Sequence, residues 1–301
     1  MCGIAGAAGE GADAAWLSRA LDRLAARGPD GTGEWRSASG RAILGHRRLA
    51  ILDTSPRGCQ PSLGPDRASA FVHNGEIYNF RELRGRLEEL GERFVSESDG
   101  EVVHRLLRRD GPEALSRLEG MFALALWNED EGRLLLARDP IGIKPLYYAR
   151  LPRGLAFASQ PSALLSLPEL AARLDPEPLA DFLAYGYVPF DRCLFAGIRK
   201  LPAAHRLLYD AATRTIEITR YWRLERSSVR DMIGFVEKHT GTKLAIDRKP
   251  PAPGDAPTTW ASVERAEKLL GWRPEVRLEE GVRRTVEWAR KARAKHPAVY
   301  G

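Results

Sequence analysis

Met1-Cys2-Gly3-Ile4-Ala5-Gly6 opens the chain, and the reading of the whole molecule turns on Cys2. A small residue in second position favours removal of the initiator Met. Cys2 would then carry a free α-amine, so one residue holds a nucleophile and a base: the thiol attacks and its own amine shuttles the proton. An unperturbed α-amine titrates at about 7.7–8.0, close to where a base works best near neutrality. Taken alone, a second-position Cys is more often incidental, and its weight comes from what stands downstream.

Further blocks follow in order. Arg27-Gly28-Pro29-Asp30-Gly31 comes first, then Gly45-His46-Arg47-Arg48-Leu49-Ala50-Ile51-Leu52-Asp53 and Gln60-Pro61. Asn74-Gly75-Glu76-Ile77-Tyr78-Asn79 and Ser98-Asp99-Gly100-Glu101 come next. Gly120-Met121-Phe122-Ala123-Leu124-Ala125-Leu126-Trp127 and Ala137-Arg138-Asp139-Pro140-Ile141-Gly142-Ile143-Lys144-Pro145-Leu146-Tyr147-Tyr148 complete the series. Together with Cys2, these collinear blocks resemble the class II glutamine amidotransferases, specifically the glutaminase half of asparagine synthetase, over residues 2–222. Three positions depart from the family pattern: Ala26 and Cys59 stand where His is usual, and Ser62 where Met is usual.

The resemblance implies an α+β fold, two stacked antiparallel sheets between helical layers (αββα), and an N-terminal-nucleophile mechanism. Cys2 attacks the side-chain amide of L-glutamine, releasing ammonia and leaving a thioester that water opens to glutamate. The oxyanion needs preorganised donors, and the catalytic set becomes Cys2, the Asn74 side-chain amide and the Gly75 backbone N–H. An isolated Asn-Gly would read as a plain turn. Glutamine is a zwitterion, so its recognition needs a cation and an anion. Arg48 suits the α-carboxylate, since guanidinium binds carboxylate bidentately. Glu76 and Asp99 suit the α-ammonium. Elsewhere such residues are mostly surface charges; here family position selects them. His46 reads as structural, because the N-terminal amine already fills the role of base.

Composition sets the wider limits. With 301 residues, 44% of them hydrophobic, the chain can bury a sizeable core in one large or two ordinary domains. It has no membrane-length apolar run and no signal-peptide pattern, so a cytoplasmic location without membrane association is expected. Cys2, Cys59 and Cys193 form no Cys-x-x-Cys pair and suggest neither a metal site nor a disulfide framework. The net charge of +6 invites a nucleic-acid reading, but residues 1–222 hold 29 basic and 29 acidic side chains. The excess lies in the remaining stretch, mixed with acids and without interleaved aromatics, as on a solvated helix surface.

Local patterns place the blocks on elements. Ala70 to His73 reads as a strand entering a turn at Asn74-Gly75. Asn79 is placed to cap a helix over Arg81–Leu90, which Gly91 ends. Met121–Trp127 and Arg133–Ala137 flank Asn128-Glu129-Asp130-Glu131-Gly132 as a hairpin, and His205–Tyr209 with Thr215–Thr219 form another. Phe182, Val188 and Leu194 fall in a mixed helix-loop stretch.

The character changes at about residue 223. Ser228–His239 is an amphipathic helix, Arg248–Pro257 a proline-rich extended loop, Ser262–Leu270 a capped helix, and Leu278–Ala294 a helix with Leu278, Val282 and Val286 on one face. Pro253-Gly254-Asp255-Ala256-Pro257, Leu269-Leu270-Gly271-Trp272-Arg273-Pro274 and Val286-Glu287-Trp288 resemble the C-terminal end of extended short-chain sugar-nucleotide epimerases. Arg248 and Asp255 fall where those epimerases approach their nucleotide-sugar, but without the cofactor domain they have nothing to complete and read as packing remnants. Two domains are therefore expected: an amidotransferase domain over 1–222, and a helical tail over 223–301 joined to it as a gene fusion.

Gly3-x-x-Gly6-x-x-Gly9 matches the dinucleotide fingerprint of that epimerase family. The fingerprint needs a strand ahead of its first Gly to aim the turn at a helix N-terminus. Only two residues precede Gly3, and Tyr-x-x-x-Lys is absent, so no NAD or other cofactor is expected. The Ser-Gly-Gly-x-Asp-Ser loop of the synthetase half is also absent. The expected activity is thus glutamine hydrolysis, either as a free glutaminase or feeding ammonia to a partner in trans such as a separate synthetase chain; the sequence does not name the acceptor. The alternative is an idle fusion that only binds glutamine or a protein.

Overall fold

The structure, a computed structural model, describes residues 1–10, 13–223, 229–245, 267, 276 and 278–295. They fall into two units, Met1–Arg223 and Leu224–Gly301.

The first unit is built on two six-stranded sheets. One has β1 (Gly3–Gly9) and β3 (Ala42–Arg48) near its middle, β2 (Gly31–Arg36) at one edge, and β9 (Gly154–Ala158), β8 (Tyr147–Leu151) and β10 (Ile198–Lys200) on the other side. The other runs β4 (Ser62–Leu63), β5 (Ser69–Ile77), β6 (Gly120–Asn128), β7 (Arg133–Arg138), β11 (His205–Asp210), β12 (Thr215–Arg220). Every pairing is antiparallel.

Side chains alternate across a strand, so each sheet shows one face to the other sheet and one to helices. Ile4, Leu44, Val72, Ala125, Leu136 and Phe157 fill the space between the sheets. On the far face of the first sheet, α1 (Ala14–Arg23) packs Trp16, Leu17 and Leu21 against Ala5, Ala7 and Ile43, with α4 (Pro161–Leu164) beside it. On the far face of the second, α2 (Phe80–Glu89) and α3 (Asp99–Asp110) supply Leu83, Leu87, Val102 and Val103 to a cluster around Phe71 and Ile77. The layers are αββα, as the sequence led us to expect. Each buried aliphatic side chain contributes roughly 1.5–3 kcal/mol.

Both hairpins stand where the sequence puts them, and α5 (Pro176–Tyr185) carries Phe182. The turn at Asn74-Gly75 does not form. β5 runs straight through both residues, pairing Asn74 with Ala123 and Gly75 with Phe122. Asn79 sits at the start of α2 but does not cap it; its side chain bonds instead to the Arg117 carbonyl and the Glu119 N–H. The three glycines of the dinucleotide-like spacing all lie in β1. A Cβ on Gly6 would stand 2.7 Å from the ring of Phe157, its partner on the neighbouring strand β9, so this Gly leaves room for that ring within the sheet.

In the second unit, α6 (Val229–Thr240) packs against α7 (Leu278–Lys295). Val282 is buried, Lys238 pairs with Glu279, and the Arg290 guanidinium donates to the Thr240 carbonyl at 3.0 Å. Glu280, Arg283, Arg284 and Glu287 form ion pairs along the surface of α7, the mixed-charge helical face read from composition. Such exposed pairs contribute little to stability. The expected proline-rich loop, the Ser262–Leu270 helix apart from Glu267, Arg248, Asp255 and Trp272 lie outside the described residues. No helix among the described residues is long and apolar enough to cross a membrane.

Candidate active site

Cys2 immediately precedes β1, in phase with Ile4, which faces the second sheet. The thiol is half-buried against the chain leaving β3. Leu49 N donates to Sγ at 3.3 Å, and Sγ lies 3.6 Å from the Leu49 carbonyl. The Arg27 guanidinium donates to the Cys2 carbonyl at 2.9 Å. Asp30, from the same early block, accepts from Ala50 N and so ties the neighbouring loop down. Met1 is 57% exposed and open to removal.

β3 brings His46 and Arg48 beside the start of β1, with Gly3 paired to Arg47 and Ile4 to His46. In phase with Leu44, both His46 and Arg48 face the second sheet. Burial, with the nearby charges of His73 and Arg48, pushes His46 down to about 3, against a smaller opposing pull from the His73 backbone. It is uncharged near neutrality and too weak a base to serve there, consistent with a structural role.

The Arg48 guanidinium organises the loop after β3. Nη1 donates to the Ser55 carbonyl at 2.9 Å and to Cys59 Sγ at 3.3 Å, while Nη2 reaches the Asp53 carbonyl. Cys59 is thus engaged with Arg48.

β5 supplies the other wall. Ala70 and Val72 face the first sheet, so Asn74 and Glu76 do too. Asn74 is 1% exposed, and its Nδ2 has no hydrogen-bond partner. An unsatisfied buried amide costs about 1–3 kcal/mol, so it calls for an explanation. Glu76 is half-buried beside it in the strand register.

The amides of β5 separate by parity. Tyr78 N donates to Glu119, on the β6 side. His73 N donates instead to Gln60 Oε1 at 2.6 Å, and Ile77 N to Asp99 Oδ2 at 2.9 Å. Both therefore point to the edge that β4 leaves bare beyond Phe71. Gly75 N, midway between them, points the same way. Asp99 stands at the start of α3, where Ser98 caps the helix, and its second oxygen accepts from Gly100 N at 2.8 Å. It is nearly buried, at the helix end that favours a negative charge.

The fold therefore gathers Cys2, Arg48, Asn74, Gly75, Glu76 and Asp99 around one end of the sandwich: a candidate nucleophile, candidate oxyanion donors, one cation and two carboxylates. The sequence profile described as the glutamine amidotransferase domain matches residues 1–222, the span that builds this end. The chain belongs to that family. A putative glutamine-hydrolysing asparagine synthetase of Mycobacterium tuberculosis is 40% identical over 242 residues, covering 74% of this chain and 37% of the relative. Glutamine-hydrolysing asparagine synthetase 1 of Bacillus subtilis is 36% identical over 207 residues, covering 67% and 32%. The chain spans about a third of the length of these relatives. The glutamine phosphoribosylpyrophosphate amidotransferase of B. subtilis shares the fold, with a TM-score of 0.56 at 20% identity, over 78% of this chain and 52% of that one.

Sequence reasoning gave no role to Gln60 or Arg27, and passed over His73. Gln60 and Arg27 stood within the quoted blocks, but their contacts join distant loops and leave no periodic signal. A cavity of about 720 Å³, lined by Tyr148, Arg150, Asp175, Asp191, Ile216 and Ile218 among others, lies elsewhere in the first unit. None of the candidate residues touches it, and its arginines 192 and 199 are already paired with acids. Among the described residues no cluster of three His, Cys, Asp or Glu could hold a metal ion.

Proposed function

We propose that the first unit hydrolyses glutamine through Cys2. With Met1 removed, the α-amine takes the thiol proton, Sγ bonds to the side-chain carbonyl carbon, and the amine passes that proton to the amide nitrogen as the C–N bond breaks, releasing ammonia. Water then opens the thioester to glutamate and restores the thiol. The oxyanion is held by the Asn74 side-chain amide and the Gly75 N–H. The observation that carries this reading is the unpartnered, buried Nδ2 of Asn74 beside an edge amide that no strand claims. Such donors are held ready for a charge that appears only during reaction.

Glu76 and Asp99 take the α-ammonium. Arg48 takes the α-carboxylate, exchanging or sharing its loop carbonyls with the substrate. The site works without a cofactor. The relatives' names pair glutamine hydrolysis with asparagine synthesis, and we assign the ammonia to a synthetase partner of that type, in the cytoplasm, where thiols stay reduced. Residues 1–222 form the amidotransferase domain in this reading. Residues 223–301 are a helical appendage, of the epimerase-like character read from the sequence, that takes no part in the chemistry.

Two experiments test this. Mass spectrometry finds Met1 removed, and Cys2→Ala abolishes glutamate release from glutamine; turnover by protein that retains Met1 would refute the amine's role. A chain ending at Trp222 keeps the wild-type rate; loss of activity would make the appendage part of the enzyme.

A further inference from the structure

The His73 imidazole sits between two glycines from different elements. A Cβ on Gly75 would stand 3.0 Å from its Nε2, and a Cβ on Gly100 would stand 3.5 Å from its Nδ1. Gly75 is the edge amide of β5; Gly100 is the second residue of α3, directly after Asp99. The ring stacks on Phe71, with centroids 6.2 Å apart and planes 20° from parallel. Its backbone N–H is fixed by Gln60. The ring thus fills the gap between the strand that carries the proposed oxyanion donor and the helix turn that carries the proposed ammonium acceptor.

Nothing else in the ring's environment accounts for a polar side chain. Nε2 has no hydrogen-bond partner, and the ring is 3% exposed. Burial depresses its basicity, opposed by the charge of Asp99 and reinforced by that of Lys144. The His46 ring, on the opposite face of β5, meets the His73 backbone and is also uncharged. A neutral, rigid, planar group lies where a flexible one would leave the spacing loose.

We propose that His73 is a positioning residue for substrate length: it sets the distance between the Gly75 N–H and Asp99, and so selects the glutamine side chain over the shorter asparagine. The inference rests on the glutamine reading above. The Gly75 amide meets the reacting carbonyl and Asp99 the α-ammonium, at opposite ends of the substrate. A shift of α3 against β5 then changes which chain length spans them. One methylene of misfit typically changes kcat/KM by about 10–200-fold.

The test compares wild type with His73→Asn and His73→Gln, using glutamine and asparagine as substrates. Alkylation of Cys2 by iodoacetamide, a probe without an amino-acid end, is followed in parallel. The glutamine-to-asparagine ratio of kcat/KM should fall about tenfold or more in His73→Asn, mainly through a raised KM for glutamine. His73→Gln, with a longer polar chain, should recover part of the ratio, and alkylation should stay within about twofold of wild type in both. A general loosening of the fold would lower both substrates together and alter alkylation. An active wild type whose ratio is unmoved in both variants overturns the spacer alone. A wild type that releases no glutamate overturns the glutamine reading and the spacer with it.

Discussion

The two ends of β5, apolar Ala70-Phe71-Val72 and polar His73-Asn74-Gly75-Glu76, belong to one strand but are finished differently. At Ala70 and Phe71 a neighbouring strand, β4, pairs through Leu63 and Ser62. From His73 to Ile77 no strand pairs on that side, and the Gln60 and Asp99 side chains take alternate amides instead. The covered end contributes to the core. The bare end leaves one amide, Gly75, and one side-chain amide, Asn74, without protein partners of their own. A strand edge is a row of directional donors, and the protein blunts all of this one except the part that the proposed chemistry needs.

Substitutions at the two ends should therefore fail in different ways. The largest effect is expected at Gly75. A Cβ there would stand 2.1 Å from the Met121 carbonyl oxygen, so β5 would have to leave β6. Gly75→Ala should lower stability by about 3 kcal/mol and lose glutaminase activity, whereas Ala70→Gly at the covered end should cost only about 1–2 kcal/mol and keep it. Chemical denaturation with a parallel assay checks both. A tolerated Gly75→Ala would show that the bare edge adjusts freely.

Asn74→Ala separates chemistry from packing. It removes an amide that no protein group satisfies, so the melting temperature should change little while kcat falls about 10²–10³-fold. An unchanged kcat would end the oxyanion assignment. Asp99→Asn keeps an acceptor for Ile77 N but loses the charge. It should raise KM for glutamine about tenfold or more with a smaller change in kcat, because hydrogen bonds to charged groups are the stronger ones.

A last effect concerns pH and touches stability, not the site. His46 and His104 are both pushed down to about 3 by burial, with nearby positive charges adding to the effect. Unfolded histidine titrates near 6.5, so between these values the unfolded chain binds more protons, and stability falls as pH falls. Denaturation at pH 7 and pH 5 should differ by about 2 kcal/mol for each ring. Replacing His104, which is held between Ser62 and Ser69 away from Cys2, should remove its share of the slope. A slope unchanged in that variant would mean that His104 is not kept neutral.

The hairpins were legible because their signals are local, whereas the αββα layering came from the family resemblance alone. The β6–β7 and β11–β12 hairpins pair apolar strands across polar connections, and chain chemistry alone marks them. The candidate site residues were nominated through family blocks, not through periodicity. Asn74-Gly75 was misread as a turn because that dipeptide suits positive φ; pairing with β6 along the full length of β5 overrides the preference. β1 shows no alternation because both of its faces are covered. Asn79 was expected at a helix cap, but a long-range contact with Arg117 and Glu119 claims its side chain. Gln60 and His73 were illegible as partners because their bond crosses a loop whose path no local pattern records.

Release of glutamate from glutamine by the purified protein, with Met1 shown to be removed and Cys2→Ala assayed beside it, tests the central claim most directly. The account predicts turnover in the wild type, a covalent glutamyl adduct on Cys2 when the reaction is quenched, and neither in Cys2→Ala. Glutamate release that persists in Cys2→Ala, or wild-type protein that binds glutamine without hydrolysing it, would contradict it.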